Sequence, residues 1–240
     1  MERGRASKIE AVSLKDLDRI NREAKDFGIS LMVIGGYAVR AYTESRSWRF
    51  TKDIDFVTTK RDLAALRGVF ELLKYGFDQT EFGVKGSKKI NHESIDLHIS
   101  VDKVIDWSTN LEYRLPKDFF SNAKEISIKP YFEENTSVKT SVMVAPIDDV
   151  LVMKLMTERS RDHFDAMALI LDSFGKINVK RFWANAKYSD LEEHINKRLN
   201  SLLADLKKGL AKKMWKEFTG RVLIREQEVM LKKRINNLLE

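Results

Sequence analysis

Three carboxylates embedded among strand-forming apolar residues are the groups in this chain best suited to chemistry: Asp53 and Asp55 in Thr51-Lys52-Asp53-Ile54-Asp55-Phe56, and Asp96 in Ile95-Asp96-Leu97. Side chains alternate faces along a strand, so Asp53 and Asp55 share one face while Ile54 and Phe56 point into a core. A strand carrying Asp96 alongside would turn Ile95, Leu97 and Ile99 inward and bring Asp96, His98 and Ser100 to the same outer face. Carboxylates clustered in this way raise one another's pKa values unless a cation neutralises them. A hard divalent metal meets that need, because Mg²⁺ takes a few carboxylate oxygens and completes its shell with substrate phosphates and water.

The elements that must position these acids follow from periodicity. Ser13 is the expected cap of a helix carrying Leu14, Leu17, Ile20, Ala24 and Phe27 at helical spacing and stopped by Gly28. Leu31-Met32-Val33-Ile34 reads as a buried strand that ends in the pair Gly35-Gly36; a helix over 37–42 and a polar loop over 43–52 follow. The strand 53–58 leads to Asp62, a second expected cap, and a helix through Lys74. Residues 77–101 have an extended pattern with Gly83 and Gly86 at turns, and further strands are expected near 125–128 and 137–144. After Pro146 the pattern turns helical: 147–171 as one long or two abutting helices, then amphipathic helices over 179–239. The expectation is an α+β protein with a mixed sheet flanked by helices over 1–145 and a helical C-terminal domain over 146–240.

The chain has 240 residues, 43% of them hydrophobic, and no cysteine, which excludes disulfides and thiolate metal sites. It has no apolar run of membrane-spanning length and no signal-peptide pattern at Met1-Glu2-Arg3-Gly4-Arg5, so a cytoplasmic protein is expected. The net charge of +7 is unevenly spread: residues 176–240 hold 16 Lys and Arg against 8 Asp and Glu, leaving 27 against 28 for the rest. Lys207-Lys208, Lys212-Lys213-Met214-Trp215-Lys216 and Lys232-Lys233-Arg234 are spaced to line helix flanks, with Trp215 available for stacking on a base. Against a nucleic-acid reading stands the apolar stripe Leu202, Leu206, Leu210 and Met214 and the frequency of solvated basic faces. His92, His163 and His194 show no ligand spacing, which argues against zinc, and His98 reads as a polar neighbour of Asp96.

The order of parts, a strand into Gly-Gly, a helix, Asp-x-Asp on a strand and a later single Asp, resembles the nucleotidyltransferase superfamily built on the DNA polymerase β-like palm. Within it the chain is most similar to the AbiEii/AbiGii toxin-type enzymes. Gly35-Gly36 and Arg49-Phe50-Thr51-Lys52-Asp53-Ile54-Asp55 match that branch's pattern, as does Lys154-Leu155 followed by Arg161-Asp162-His163-Phe164-Asp165. The resemblance covers roughly residues 30 to 172. It implies transfer of a nucleotidyl group from an NTP to an acceptor hydroxyl, with Mg²⁺ or Mn²⁺ held by Asp53, Asp55 and Asp96 and with Asp96 near the attacking hydroxyl. Gly35, Gly36, Arg49 and Lys52 would contact the nucleotide's phosphates, Lys154 would bind the triphosphate and Asp162 would orient it, so that residues 147–172 complete the active site. Gly36 stands where the superfamily often has Ser, and sixteen residues separate Gly36 from Asp53.

On one continuous helix Lys154, Glu158, Arg161 and Asp165 would fall within about 60° of one another, with Asp162 about 40° further round. The implied acceptor is RNA, a tRNA end among the choices, or a protein or small molecule, and an antitoxin is the implied protein partner. A non-catalytic nucleotide- or RNA-binding member of the fold and a metal-dependent nuclease are the alternatives.

Overall fold

The computed structural model describes residues 3–81 and 83–240. The chain divides into two units, one made of Met1–Ala41, Thr51–Val104 and Lys117–Pro146, the other of Tyr42–Phe50, Ile105–Pro116 and Ile147–Glu240.

In the first unit, helix α1 (Arg3–Asp26) leads to strand β1 (Leu31–Val33), helix α2 (Gly35–Tyr42), strand β2 (Ile54–Thr58) and helix α3 (Leu63–Leu72). Strands β3 (Asp78–Thr80), β4 (Gly83–Ile90) and β5 (Glu93–Val101) follow. Strands β8 (Lys124–Ser127) and β9 (Ser141–Val144) complete the sheet, while β6 (Lys103–Asp106) and β7 (Leu111–Arg114), which precede them in the chain, pair with each other and fall mostly in the second unit. Its order among the described residues is β3-β4-β5-β2-β1-β9-β8. The pairs β2–β5 and β1–β9 run parallel and the others antiparallel, so the sheet is mixed and the fold is α+β.

Three local expectations are corrected. Helix α1 begins at Arg3, because Ala6 and Ile9 extend the buried stripe of Leu14, Leu17, Ile20 and Ala24 one face further back. Ser13 is therefore a mid-helix residue, and its buried hydroxyl donates to the Lys52 carbonyl oxygen at 2.6 Å. Phe27 falls just past the helix end and is 68% exposed. Gly83 and Gly86 lie inside β4; a Cβ on Gly86 would sit 2.4 Å from the Gly76 carbonyl oxygen, so what the position requires is close backbone approach. Phe82, within the stretch expected to be extended, lies outside the described residues.

The second unit is helical: α4 (Ile147–Leu155), α5 (Ser160–Ser173), α6 (Val179–Tyr188), α7 (Glu192–Lys207), α8 (Leu210–Thr219) and α9 (Arg225–Leu239). Helix α5 lies at its centre, with Asp162 to Leu171 all buried, and Phe164 packs edge-on against Trp215 at 4.9 Å between ring centroids. The stretch 147–171 is two helices broken at 156–159, not one, so Glu158 and Arg161 face solvent while Lys154, Asp162 and Asp165 are buried. Trp215 is 1% exposed and committed to the core, which removes it as a stacking platform. The break after Lys207 shifts the helical phase, so Leu199, Leu202, Ala211 and Trp215 form the buried stripe and Leu210 is exposed.

His163, on α5, accepts a hydrogen bond on Nδ1 from Arg198 Nη2 at 3.3 Å, and burial together with that guanidinium pushes its imidazole down to about 4. The unfolded imidazole keeps its ordinary pKa, so between pH 6.5 and 4 the unfolded state binds the proton that the folded state refuses. Stability is thus expected to fall with pH across that window, at up to about 1.4 kcal/mol per pH unit. His194, also lowered by burial, adds in the same direction. Urea unfolding at pH 7, 6, 5 and 4.5 checks this: His163→Gln is expected to flatten the profile, and an unchanged slope would assign the pH dependence to other groups.

Candidate functional site

The outer face of the first unit's sheet collects the three acids through register. Strands β2 and β5 pair in parallel with Ile54 opposite Leu97 and Asp55 opposite His98, so one step earlier Asp53 and Asp96 fall side by side. Ile54, Phe56, Ile95, Leu97 and Ile99 are buried beneath them, as strand alternation requires. Across β5, Ser87 pairs with Asp96 and Lys85 with His98, placing an exposed serine and lysine beside the acids. Strand β1 delivers Gly35 to the same place. The Gly35 backbone has φ +65°, and a Cβ there would lie 2.1 Å from Asp55 Oδ2, so the glycine makes room for the carboxylate. The segment before Asp53 is fixed from behind: Tyr37, fully buried, holds its hydroxyl 2.8 Å from Ser13 Oγ and 3.3 Å from the Thr51 carbonyl oxygen.

The electrostatics of this cluster are unbalanced. Desolvation is the main cause that raises the Asp53 carboxyl above its ordinary range, with the Asp55 and Asp96 charges adding to it; Lys52 and the Asp96 amide only partly oppose them. Asp53 Oδ1 is buried and has no hydrogen-bond partner among the described residues. His98 Nδ1 lies 3.3 Å from Asp55 Oδ1, and that hydrogen bond holds the imidazole above its usual pKa. Lys52 turns to the Ser94 carbonyl oxygen at 2.5 Å and to Glu93 at 3.5 Å. Among the described residues no three His, Cys, Asp or Glu side chains form a ready-made metal cage. The partnerless oxygen and the uncompensated acids nevertheless fit a hard divalent cation that takes one or two carboxylates here and its remaining ligands from phosphate and water.

The second unit holds the other sequence-predicted residues in a cluster of its own. Lys154 Nζ lies 2.5 Å from Asp162 Oδ1 and 2.8 Å from Asp165 Oδ2. Arg49 meets Asp165 in a two-pronged pair, Nε to Oδ1 and Nη2 to Oδ2, both 2.7 Å. Thr157 Oγ1 donates to Asp162 at 3.0 Å and Arg159 Nε lies 2.6 Å from it. Buried though they are, Asp162 and Asp165 are held below the ordinary carboxylate range, chiefly by Lys154, with Arg159 helping at the first and Arg49 at the second. The same acids raise Lys154 against the pull of burial. This network spans the break between α4 and α5 and supplies what a continuous charged stripe would not, a partner for each buried charge.

Asp53, Asp55, Asp96, Gly35, Gly36 and Lys52 thus come together in the first unit, and Lys154, Asp162 and Arg49 in the second. The pairing of Asp165 with Arg49 has no signal in the sequence, because nothing local links residues 116 positions apart.

A family model described as the nucleotidyl transferase AbiEii toxin of a type IV toxin–antitoxin system matches residues 16–238. No curated protein matches the chain. Among solved structures, JHP933 from Helicobacter pylori is similar over 93% of this chain and 89% of its own, at 17% identity and a TM-score of 0.54, a likeness of fold. The solution structure of the antibiotic-resistance factor ANT(2'')-Ia aligns over 77% of this chain and 97% of its own, at 16% identity and a TM-score of 0.47.

Two substitutions test the geometry without an activity assay. Gly35→Ala strains a left-handed backbone and drives a methyl group into Asp55, so thermal unfolding is expected to show a loss of at least about 1 kcal/mol, with Gly36→Ala milder. Lys154→Met strips two buried carboxylates of their shared cation, and urea unfolding is expected to show a loss of about 3–5 kcal/mol. Wild-type stability in Lys154→Met would mean the network holds nothing together.

Proposed function

The chain belongs to the AbiEii nucleotidyl transferase toxin family, and on that premise we propose that it moves a nucleotidyl group from an NTP to an acceptor hydroxyl, with release of pyrophosphate. The observation that carries the reading is the charge imbalance on the sheet's outer face: Asp53, Asp55 and Asp96 together, one carboxylate oxygen buried without a partner among the described residues, beside the start of α2. In this reading Asp53 and Asp55, with Asp96, hold Mg²⁺ or Mn²⁺, which when bound offsets the negative charge of the phosphates and of the leaving pyrophosphate. The acceptor oxygen forms a bond to the α-phosphorus as the bond from that phosphorus to the bridging oxygen breaks, and the acceptor's proton passes to the Asp96 carboxylate. Gly35 and Gly36 present backbone amides at the start of α2, where anions are favoured. In the same reading Lys154 binds the triphosphate and Asp162 orients it, within the charge-balanced network they form with Arg49 and Asp165.

RNA is the proposed acceptor, on the strength of the exposed lysines Lys207, Lys208, Lys213 and Lys216 in α7 to α8, and a protein antitoxin is the proposed partner, in keeping with the family's type IV toxin–antitoxin description. Lys212 is engaged by Glu228 at 2.8 Å, and Arg234 bonds the Leu171 carbonyl oxygen, so neither counts toward that surface. No helix among the described residues is long and apolar enough to cross a membrane.

The test is incubation with each α-³²P-labelled NTP, Mg²⁺ and total RNA, with candidate proteins in parallel. Label transfer to RNA by wild type, reduced at least about 10³-fold by Asp53→Ala with Asp55→Ala and abolished by EDTA, is the expected result. Replacing Lys207, Lys208, Lys213 and Lys216 with Gln is expected to weaken RNA binding and flatten its salt dependence. Shortened RNA would instead make the protein a nuclease, and NTP binding in calorimetry without turnover would make it a non-catalytic member of the fold.

A further inference from the structure

We propose that Trp107 is a stacking platform for a nucleobase, either that of the NTP or one at the end of an RNA acceptor. The proposal rests on the nucleotidyl-transfer reading above. Trp107 sits in the turn of the β6–β7 hairpin and is 72% exposed, more than any other large apolar side chain among the described residues. The other three tryptophans are engaged. Trp48 Nε1 donates to the Thr43 carbonyl oxygen at 3.0 Å, Trp183 Nε1 to that of Leu238 at 2.6 Å, and Trp215 packs on Phe164. The Trp107 indole has no hydrogen bond, ring contact or cation over its face among the described residues. A large flat apolar surface left in water is one whose burial by a ligand is favourable.

The turn that carries the indole is held in place. Asp106 is buried, and its Oδ2 accepts from Ser108 Oγ at 2.6 Å, from Thr109 Oγ1 at 2.8 Å and from the Thr109 amide at 3.1 Å. Its carbonyl oxygen accepts from the Asn110 amide at 2.7 Å. These bonds close around Trp107 without using its ring, so a ligand has little left to order there. Asp106 Oδ1 also lies 3.8 Å from Arg159 Nη2, and Arg159 Nε lies 2.6 Å from Asp162 Oδ2, whose other oxygen meets Lys154. Trp107 is thus next to one end of a run of contacts, from Asp106 through Arg159 and Asp162 to Lys154, whose far end the reading above gives to the triphosphate. A half-exposed guanidinium beside an open aromatic face is the pairing that holds unpaired nucleotides, base on ring and phosphate on cation. A protein-docking surface needs a contiguous apolar patch, and between Lys103 and Arg114 no other large apolar side chain is exposed.

Calorimetric titration of the full chain with Mg²⁺·tripolyphosphate, with each Mg²⁺·NTP and, in EDTA, with a short unpaired RNA tests the proposal. Trp107→Leu is expected to weaken the ligand whose base stacks there about 5- to 100-fold and to leave tripolyphosphate binding unchanged. Trp107→Phe, which keeps a flat ring, is expected to stay within about 5-fold of wild type. Loss confined to the NTPs makes the stacked base the substrate's own. Loss confined to the RNA, matched in wild type by the same RNA ending in an abasic residue, makes it the acceptor's. The proposal is overturned by Trp107→Leu binding every NTP and the RNA as wild type does, or by Trp107→Phe binding as weakly as Trp107→Leu. Tripolyphosphate weakened as much as the NTPs overturns it too, because no base is then involved. A protein that binds wild type and is lost by Trp107→Leu, with NTP and RNA binding unchanged, puts a protein on the indole instead. All of these outcomes leave the triphosphate reading standing. Wild type that binds neither tripolyphosphate nor any NTP overturns that reading, and with no RNA binding either, the proposal as well.

Discussion

Three carboxylates brought together by two neighbouring parallel strands repel one another, and the register that puts them there is imposed from beneath. Ile54, Phe56, Ile95, Leu97 and Ile99 are buried on the underside of β2 and β5. Each contributes about 1.5–3 kcal/mol by leaving water, so together they outweigh the crowding of acids of which only part is desolvated. A slip of one residue in either strand would bury the acids and expose the apolar set, which fixes the register without any help from the acids themselves. The position of Gly35 against Asp55, the clamp on the segment before Asp53 and the pairing of His98 all follow once that register is set.

The two units treat buried charge in opposite ways. In the second, Lys154 and Arg49 answer Asp162 and Asp165, and Arg159 adds a further contact to Asp162, so an unfavourable burial is offset within the unit. In the first, the acids have a partial answer: Lys52 is drawn to Ser94 and Glu93, and His98 engages one oxygen of Asp55. Balanced charge does structural work and leaves little for a ligand to gain. Unbalanced charge is a standing demand for a counter-ion, so the two clusters differ in what each still requires from outside the chain.

The parts of this organisation set by alternation and local pattern were legible in the sequence. Asp53, Asp55 and Asp96 on one face, Ile54 and Phe56 beneath, the β1 strand running into Gly35 and the change to helices after Pro146 all depend on residues a few positions apart. What escaped depends on distant partners. Ser13 reads as a cap because serines are good caps, yet its hydroxyl is spent on Lys52, 39 residues away. Gly86 reads as a turn, yet it is a strand residue pressed by the Gly76 carbonyl oxygen. Trp215 reads as a free aromatic beside lysines, yet Phe164 claims it. The charges of 154–165 read as a stripe on one helix, when a break at 156–159 lets Lys154 meet Asp162 and Asp165 across it. In each case the residue type was compatible with two environments, and only the packing chose.

The clamp on residues 51 and 52 has one more consequence. Ser13 and Tyr37 reach that segment through main-chain carbonyl oxygens alone, so what they secure is the path of the backbone and not the identity of the side chains strung along it. The alignment of the acids comes from the β2–β5 register and from these carbonyl contacts, not from the side chains at positions 51 and 52. That separates the route of the backbone, which the two carbonyl contacts fix, from the side chains at 51 and 52, which can be exchanged without redirecting the chain toward the acids.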